Sequence, residues 1–459
     1  MRVLLLSTYE LGRQPVHVSS PAAVLSAAGH DVSTADLAVE TLDIEQVVSA
    51  DAIAISVPMH TAMRLGIETA TRIRDIRPEV PLALYGLYAT VGSSDVLGRL
   101  VDRVIAGEYE RGLVDWVAGG GSGASVSTGK GTFLVPDRSK LPRLDQYARL
   151  EWEGETRLAG AVEASHGCRH RCRHCPIPVV YDGRWRVVGE ETVLEDIDNQ
   201  VAAGARHITF GDPDFLNAPR YSMELLRKAH LAHPDVTFDV TIKVEHIVEH
   251  RRLIAELPRL GVLFIVSAFE SVDPKTLEIL DKNHTVADMA EAIGIVASSG
   301  GHIRPTWLPF SPWTTVSDVA DMVGFIDVHR IWEATDPVQL AVRLLVPEGS
   351  LMESHPELAP HLLDYRPSSL SWTWDFAQPG TSGLFDELDR IATKAADCGA
   401  EAMSTLSEMR RVVLQAAGRE VGEMPDGRPT PRLTEAWFCC SEPTPSQLVS
   451  LSVTGLQSI

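Results

Sequence analysis

The sequence predicts an α/β protein with an N-terminal doubly wound parallel-sheet domain, a partial (β/α)6 barrel and a C-terminal helical region. Two observations lead to this prediction. Short apolar strands alternate with helices over residues 1–118, and the same alternation resumes over residues 151–350. A chain of 459 residues with 44% hydrophobic residues is long enough for two or three domains. Residues 119–150 are assigned to a linker, and residues 351–459 to the C-terminal region.

The N-terminal strands are short, almost purely apolar runs, which are typical of strands buried on both faces of a parallel sheet. They are Val3–Leu6, Asp31–Ala35, Ala52–Val57 and Leu82–Gly86. Helical patterns lie between them, the clearest from about Thr61 to Ile76. Ligands bind such sheets at the carboxyl ends of the strands, so we expect any site of this domain there.

The segment from Ala118 to Gly129 is rich in glycine and serine, which predicts a flexible linker. A phosphate-binding loop is the alternative for such a glycine run. It is disfavoured, because no lysine–serine pair and no strand-to-helix frame accompany the glycines.

Six strands are predicted for the barrel, with helices between them. They are Leu158–Ser165, His207–Gly211, Phe238–Lys243, Leu263–Ser267, His302–Trp307 and Gln339–Leu345. Barrels of repeated β/α units carry their chemistry at the carboxyl ends of the strands.

Three cysteines follow the first barrel strand with the spacing C-x3-C-x2-C: Cys168, Cys172 and Cys175. Three thiolates this close together can ligate three irons of one cubane cluster and leave the fourth iron open to a substrate or cofactor. The alternative is a zinc site completed by His170 and His174. The three-residue gap and the lack of a second C-x2-C pair in the vicinity favour the cluster.

This motif resembles that of the radical S-adenosylmethionine (SAM) enzymes. The resemblance implies a [4Fe-4S] cluster on the three cysteines, SAM as cofactor and an electron donor such as flavodoxin or ferredoxin. Gly211 and Asp212 lie 36 residues after Cys175, where the family places a glycine–acid turn that holds the SAM amino group. The other candidate cofactor-binding residues end or lie in later strands: Thr241, Lys243, Glu270 and Arg304, the last as a partner of the SAM carboxylate.

Residues 1–118 resemble the cobalamin-binding domain that precedes many radical SAM cores, most clearly in the segments 51–56, 81–86 and 104–110. The motif Asp-x-His-x-x-Gly, which supplies a histidine to cobalt, is absent. Tyr85 stands where the family has a glycine, and its side chain would crowd a corrin. Two interpretations therefore stay open: cobalamin binding, with His60 as a possible lower ligand, or a degenerate domain that only supports the core.

The sequence Trp437-Phe-Cys-Cys-Ser-Glu-Pro443 resembles the tail of a radical SAM group named for a terminal CCAEP or CUAEP motif, with serine here in place of alanine. Cys439 and Cys440 are the candidate catalytic residues. We expect them to engage a soft sulfur, selenium or metalloid substrate or intermediate, on a tail that folds over the barrel mouth. The alternative is a pair of small buried residues beside two aromatic rings.

The net charge of −21 disfavours binding to nucleic acid or to an anionic membrane, and favours a small-molecule substrate. No apolar run approaches the ~20 residues of a membrane span, and no signal peptide is evident, so a cytoplasmic protein is expected. Any cobalamin-dependent reaction would be transfer of a methyl group or another carbon unit. The alternative function is a metal- or metalloid-binding protein with a catalytically inactive barrel. The sequence does not determine the substrate, the product or the oligomeric state.

Overall fold

The computed structural model describes residues 1–435. The N-terminal domain is a six-stranded sheet of order β2-β1-β3-β4-β5-β6, parallel throughout. Its strands are β1 (Arg2–Ser7), β2 (Asp31–Asp36), β3 (Ala52–Ser56), β4 (Leu82–Tyr85), β5 (Arg103–Gly107) and β6 (Gly123–Ser127). Its helices are α1 (Val16–Ala27), α2 (Ile44–Ser49), α3 (His60–Ile76), α4 (Ser93–Val96) and α5 (Glu110–Val117). The central strands are buried along their whole length, as their apolar sequences predict.

Strand β6 lies within the segment whose composition predicts a flexible linker. Residues 123–127 pair in parallel with β5, so that this part of the segment is the edge of the sheet. Arg103 anchors the strand, because its guanidinium donates to the Ser122 carbonyl and to the Ser125 hydroxyl. The glycine and serine residues of this segment allow a strand to form, but their composition does not predict one.

The barrel is built on five parallel strands. At one edge β7 pairs antiparallel with β8, and β17 (Arg432–Leu433) pairs antiparallel with β7, so that the strand order is β14-β13-β12-β11-β8-β7-β17. A short hairpin of β9 and β10 stands beside this sheet. The strands before the C-terminal region are β7 (Arg149–Trp152), β8 (Glu155–Val162), β9 (Ser165–Gly167), β10 (Trp185–Val187), β11 (His207–Phe210), β12 (Thr237–Thr241), β13 (Val262–Glu270) and β14 (His302–Trp307). The helices are α6 (Ile177–Tyr181), α7 (Glu190–Ala202), α8 (Pro219–Ala232), α9 (Val244–Glu249), α10 (Arg251–Ile254), α11 (Pro274–Ile279), α12 (Val286–Ser298) and α13 (Val316–His329).

The α/β prediction and the half-barrel are confirmed, but the sixth predicted strand is not formed as a strand. Residues 339–345 make a single parallel bridge, between Phe310 and Arg343. Pro337–Leu340 is instead a short 3-10 helix, and the side chain of Gln339 accepts from the Trp307 amide. The sheet therefore stays open at this side.

The C-terminal region adds a hairpin of β15 (Leu362–Arg366) and β16 (Ser371–Trp374), then α14 (Thr381–Cys398), α15 (Ala402–Ala416) and β17 (Arg432–Leu433). Helix α15 packs on α13 through Arg410, whose guanidinium donates to both carboxylate oxygens of Asp327. Strand β17 then returns the chain to the barrel by pairing antiparallel with β7. Within residues 1–435, no helix has both the length and the apolar character needed to cross a bilayer.

Candidate active site

A large cleft opens where the carboxyl ends of the two parallel sheets face each other. Its cavity volume is about 290 Å³, and about 1880 Å³ if the open space at its mouth is included. The barrel side contains most of the residues predicted from the sequence, namely Cys168, Cys172, Cys175, Gly211, Asp212, Thr241, Lys243 and Glu270. The side of the N-terminal domain contributes Glu10, Leu11, Arg13, His17, Met59, Leu87 and Gly107, among others.

The cysteine loop begins directly after β9, at a glycine that the backbone requires. Gly167 has a φ of +75°, and a Cβ there would lie 2.5 Å from the carbonyl oxygen of Arg184. Cys168 and Cys172 are buried and Cys175 is half-buried. Burial raises the pKa of the Cys168 thiol to about 12 and also raises the pKa of Cys172. A bound cation is what would hold these sulfurs as thiolates at neutral pH.

The arrangement of the cysteine loop favours a cluster over a single zinc ion. Among the described residues, the three sulfurs do not converge on one point as the ligands of a single ion would. The two histidines that could complete a zinc site on the cysteines face carboxylates instead of the cysteine sulfurs. His174 Nε2 lies 3.1 Å from Glu270 Oε1, and His170 Nε2 lies 3.6 Å from Asp214 Oδ2. A multi-iron cluster accommodates widely spaced thiolates, so the donor set fits it.

Gly211 and Asp212 follow β11 at the floor of the cleft. The Asp212 carboxylate accepts from the Ala164 amide at 2.9 Å and from the Ser165 hydroxyl at 2.5 Å. Burial raises the pKa of Asp212 to about 7. The side chain thus ties β11 to the chain entering the cysteine loop. Both carboxylate oxygens of Asp212 already accept hydrogen bonds, so the predicted contact of this carboxylate with the SAM amino group stays a prediction. The Gly211 backbone is the other candidate in this turn for that contact.

Charged groups also end the next two strands. Lys243 is buried and its Nζ lies 3.3 Å from Glu245 Oε2, while Thr241 precedes it at the end of β12. Glu270 ends β13 at a register shift, with a φ of +66°, and its Oε1 accepts from Lys282 Nζ and lies near His174 Nε2, each at 3.1 Å. Burial alone would raise the pKa of Glu270, but Lys282 and His174 hold it well below its usual range. This carboxylate is therefore ionised inside the cleft.

Arg304 does not line the cleft, although the sequence analysis places it there. Its guanidinium lies 2.7 Å from Asp336 and also donates to the Pro431 carbonyl at 3.3 Å. A buried arginine needs a partner, but here the partner comes from the loop before the 3-10 helix rather than from a ligand. Lys243 is the better candidate for an anionic group at this end of the barrel.

Sequence reasoning missed a chain of acids and histidines that crosses the cleft between the domains. Glu163 Oε1 lies 3.5 Å from His17 Nε2, and Glu163 Oε2 lies 3.2 Å from His166 Nε2. The outer ring nitrogens face Glu10 at 2.9 Å and Glu108 at 3.2 Å. These residues come from four separate segments of both domains, so no local motif marks them. Only their position at strand ends could have suggested them.

These contacts determine which of the acids and histidines that cross the cleft are charged. Burial alone would lower the pKa of His17, but Glu10 and Glu163 raise it to about 9. Burial alone would raise the pKa of Glu163, but His17 and His166 lower it to about 2. At neutral pH the cleft therefore contains a protonated His17 beside an ionised Glu163.

The N-terminal wall of the cleft leaves more room than the sequence suggests. Tyr85 is fully buried within the domain, and its hydroxyl donates to the His17 carbonyl at 2.8 Å, so the expected crowding of a corrin by this side chain is wrong. His60 Nε2 lies 2.7 Å from the Ser369 carbonyl, and His60 does not line the cleft. The surface that does face the cleft is largely apolar: Leu11, Pro58, Met59 and Leu87, with Gly107 beside them.

Cys439 and Cys440 lie outside the described residues. The last described residue, Glu435, accepts from the Tyr9 hydroxyl at 2.6 Å and lies against Gly12, next to cleft residues Leu11 and Arg13. The described chain therefore ends beside the mouth of the cleft.

Comparisons with known proteins agree with this geometry. Residues 162–323 match the family model of the radical SAM superfamily. The chain is 25% identical over 173 residues to hopanoid C-2 methylase of Rhodopseudomonas palustris, covering 37% of this chain and 33% of that protein. It is 23% identical over 320 residues to hopanoid C-3 methylase of Methylococcus capsulatus, covering 64% of this chain and 62% of that protein. The chain thus spans less than two thirds of either methylase.

Two solved structures share the fold over both domains. The cobalamin-dependent radical SAM enzyme OxsB, solved with aqua-cobalamin and SAM bound, aligns with a TM-score of 0.66 at 13% identity, over 86% of this chain and 66% of OxsB. The radical SAM methyltransferase TsrM from Kitasatospora setae, solved with cobalamin and a [4Fe-4S] cluster, aligns with a TM-score of 0.54 at 16% identity, over 72% of this chain and 70% of TsrM. The resemblance found in the sequence is confirmed: residues 162–323 match the radical SAM superfamily, and the chain shares the two-domain fold of OxsB and TsrM.

Proposed function

We propose that this protein binds a [4Fe-4S] cluster at Cys168, Cys172 and Cys175, with SAM and cobalamin in the same cleft, and that it transfers a methyl group or another carbon unit to a small molecule. One observation carries the proposal: the three cysteines and the carboxyl ends of both parallel sheets open into a single cleft. Two relatives are methylases by name, and two structural neighbours hold cobalamin.

The apolar wall supports cobalamin rather than a degenerate domain. Leu11, Met59 and Leu87 offer apolar side chains that a macrocycle can pack against, and Gly107 adds no side chain. A Cβ on Gly107 would lie 2.0 Å from the Ser127 carbonyl oxygen, so glycine is required at this point of the wall. No histidine of this wall is available as a lower cobalt ligand, because His17 is held between Glu10 and Glu163.

When bound, the cluster supplies an electron for the cleavage of SAM, and cobalamin supplies a carrier for the transferred group. We propose that Lys243 and Thr241 bind the SAM carboxylate, because both line the cleft and Lys243 is a buried cation at the end of β12. Gly211 offers its carbonyl to the SAM amino group. Glu270 stays ionised beside Lys282, and its contact with His174 orients that ring within the cysteine loop.

The His17–Glu163–His166 chain is the candidate group for the substrate. His17 holds a proton at neutral pH between two carboxylates, and it can donate this proton or orient a polar substituent. Cys439 and Cys440, which lie outside the described residues, are proposed from their chemistry alone to engage a soft sulfur, selenium or metalloid group of the substrate or an intermediate. The reductant would be a small electron-transfer protein such as flavodoxin or ferredoxin.

Cobalamin binding is tested by anaerobic reconstitution with hydroxocobalamin, followed by gel filtration and the corrin absorbance of the protein peak. Leu87→Trp fills the wall of the cleft and should lose most of the absorbance. Leu97→Trp is the matched control: Leu97 is also half-buried and packs on the same apolar cluster, but it does not line the cleft. Corrin retained equally by both variants, or by neither variant nor the wild type, would contradict the proposed cobalamin site.

The alternative, a metal-binding protein with an inactive barrel, is separated by the same preparation. A reductive incubation with SAM gives SAM fragments only if the barrel is active. Cluster-loaded protein that never cleaves SAM would favour the alternative.

A further inference from the structure

A second set of metal-ligand side chains lies behind the cysteine loop. His170 comes from that loop, Asp214 follows β11, and His246 lies in the first turn of α9. His170 Nε2 is 3.6 Å from Asp214 Oδ2, and His246 Nδ1 is 2.7 Å from the same oxygen. One ligand atom from each residue lies within 4.8 Å of the other two. Among the described residues, this is the one set of three such side chains that converges closely enough for a single ion.

These three atoms are buried and unsatisfied. His170 Nε2, Asp214 Oδ2 and His246 Nδ1 each lack a hydrogen-bond partner. The 2.7 Å contact between His246 Nδ1 and Asp214 Oδ2 is an ion-pair distance without hydrogen-bond geometry. Asp214 is 1% exposed and His246 is 4% exposed. Burying a carboxylate oxygen and two ring nitrogens without partners is costly, and a cation between them would remove that cost.

The neighbouring contacts hold the ligands in orientation. The other oxygen of Asp214 accepts from the Leu216 amide at 3.1 Å, which fixes the carboxylate and leaves Oδ2 directed at the histidines. The other ring nitrogen of His170 faces the Glu245 carboxylate at 3.8 Å. A carboxylate behind a histidine is the usual outer partner of a metal-bound imidazole.

We infer that His170, Asp214 and His246 form a second metal site, distinct from the cluster cysteines, for a divalent first-row transition ion such as Zn²⁺ or Fe²⁺. Two imidazole nitrogens and one carboxylate oxygen are the donors that these ions accept, at about 2.0–2.2 Å. Tetrahedral ligands at that distance are about 3.4 Å apart, so small side-chain rotations would bring the three atoms into place. A fourth position is left for water.

The site would act as a clamp on the cysteine loop. Its ligands come from three elements that the chain otherwise joins only through the barrel: the loop itself, the end of β11 and the start of α9. His170 lies between Cys168 and Cys172, so an ion held there fixes the spacing of two cluster ligands. Asn217 adds a second tie, because its side-chain oxygen accepts from the Arg169 amide at 3.3 Å.

The test uses the full chain with its cluster reconstituted anaerobically. Zn²⁺ is added, loosely bound metal is removed by gel filtration over a weak chelator, and zinc, iron and sulfide are measured per chain. We expect about one zinc per wild-type chain. His246→Gln and His170→Gln, each of which removes one ligand, should bind zinc at least tenfold more weakly. His250→Gln is the matched control, since its ring lies one turn along, 5.7 Å from that of His246, outside the triad.

Zinc absent from the wild type, or equal in the wild type and both ligand variants, would overturn the inference. A variant with Cys168, Cys172 and Cys175 all replaced by Ala should still bind zinc through the triad; loss of zinc from this variant would assign the metal to empty cluster cysteines. Iron and sulfide are measured separately from zinc. Iron and sulfide near four per chain without zinc would reject the second site alone and leave the proposed function standing.

Discussion

Replacement of Glu10 by Gln should lower the pKa of His17 from about 9 to 6.5 or below. Glu10 Oε1 lies 2.9 Å from His17 Nδ1, and Glu10 is the largest influence that raises this pKa, ahead of Glu163. The rise from 6.5 to about 9 corresponds to about 3 kcal/mol in favour of the imidazolium. Glutamine keeps the acceptor for the Val16 amide at the start of α1 and removes only the charge. Burial, which lowers the pKa, then dominates.

The assay is the pH titration of ¹³C-labelled histidine side chains by NMR, with the His17 signal identified by its loss in His17→Asn. We expect the wild-type signal to titrate near pH 9 and the Glu10→Gln signal at least two pH units lower. His30→Asn, in the turn after α1 and outside this chain of acids and histidines, controls for the assignment. A wild-type His17 that titrates near 6.5, or an unchanged pKa in Glu10→Gln, would refute the reasoning.

The raised pKa of His17 also makes the stability of the fold depend on pH. A histidine whose folded-state pKa is raised contributes its stability fully below the unfolded pKa of about 6.5, and loses it as the pH rises through the folded pKa of about 9. The stability difference between wild type and His17→Asn should therefore shrink between pH 6.5 and pH 10. An unchanged difference over that range would contradict the assignment of charge to the cleft.

Three further predictions concern the scaffold of the site, each measured by thermal unfolding. Gly107→Ala should cost clearly more stability than Gly98→Ala. Both glycines have a positive φ, which costs alanine about 1–2 kcal/mol, but only a Cβ at position 107 would clash with backbone, at 2.0 Å from the Ser127 carbonyl oxygen. Equal losses of stability would contradict the clash. Arg410→Met should cost about 3 kcal/mol, because it leaves the Asp327 charge between α13 and α15 without its cation and with only the Trp332 hydrogen bond, whereas exposed Arg411→Met should cost little; similar effects would show that the pair is not stabilising. Phe210→Ala, at the buried end of β11, should cost about 3–5 kcal/mol, and a loss under 1 kcal/mol would mean that the core below the cleft is poorly packed.

Much of the fold could be predicted because its signals are local. Buried apolar runs marked the parallel strands, and His302–Trp307 has the bounds that the sequence indicated. The cysteine spacing likewise marked the cluster loop. The apolar composition of residues 339–345 could not decide whether they form a sixth barrel strand. Whether such a run pairs depends on the segment beside it, and here only one bridge forms.

The rest of the site depends on contacts between distant segments. The sequence showed that Arg304 needs a partner, but not that Asp336 would be this partner. The sequence marked Asp212 as a turn residue. It did not show that the carboxylate would accept hydrogen bonds from Ala164 and Ser165, just before the cysteine loop. Tyr85 was expected to crowd a corrin because a position at the end of a strand does not reveal which face of the sheet its side chain takes. The acid–histidine chain around Glu163 joins both domains, and so it exists only once they are packed together.

The central claim is that one cleft holds a cluster that cleaves SAM. It is tested most directly by anaerobic incubation of the reconstituted protein with SAM and a reductant, followed by mass analysis of the SAM-derived fragments. We predict cleavage fragments from the wild type and from Cys398→Ala, whose cysteine is exposed on α14, and none from Cys168→Ala, Cys172→Ala or Cys175→Ala, which should also lose their iron. Intact SAM with the cluster-loaded wild type, or undiminished cleavage and iron content in the three cysteine variants, would contradict the account.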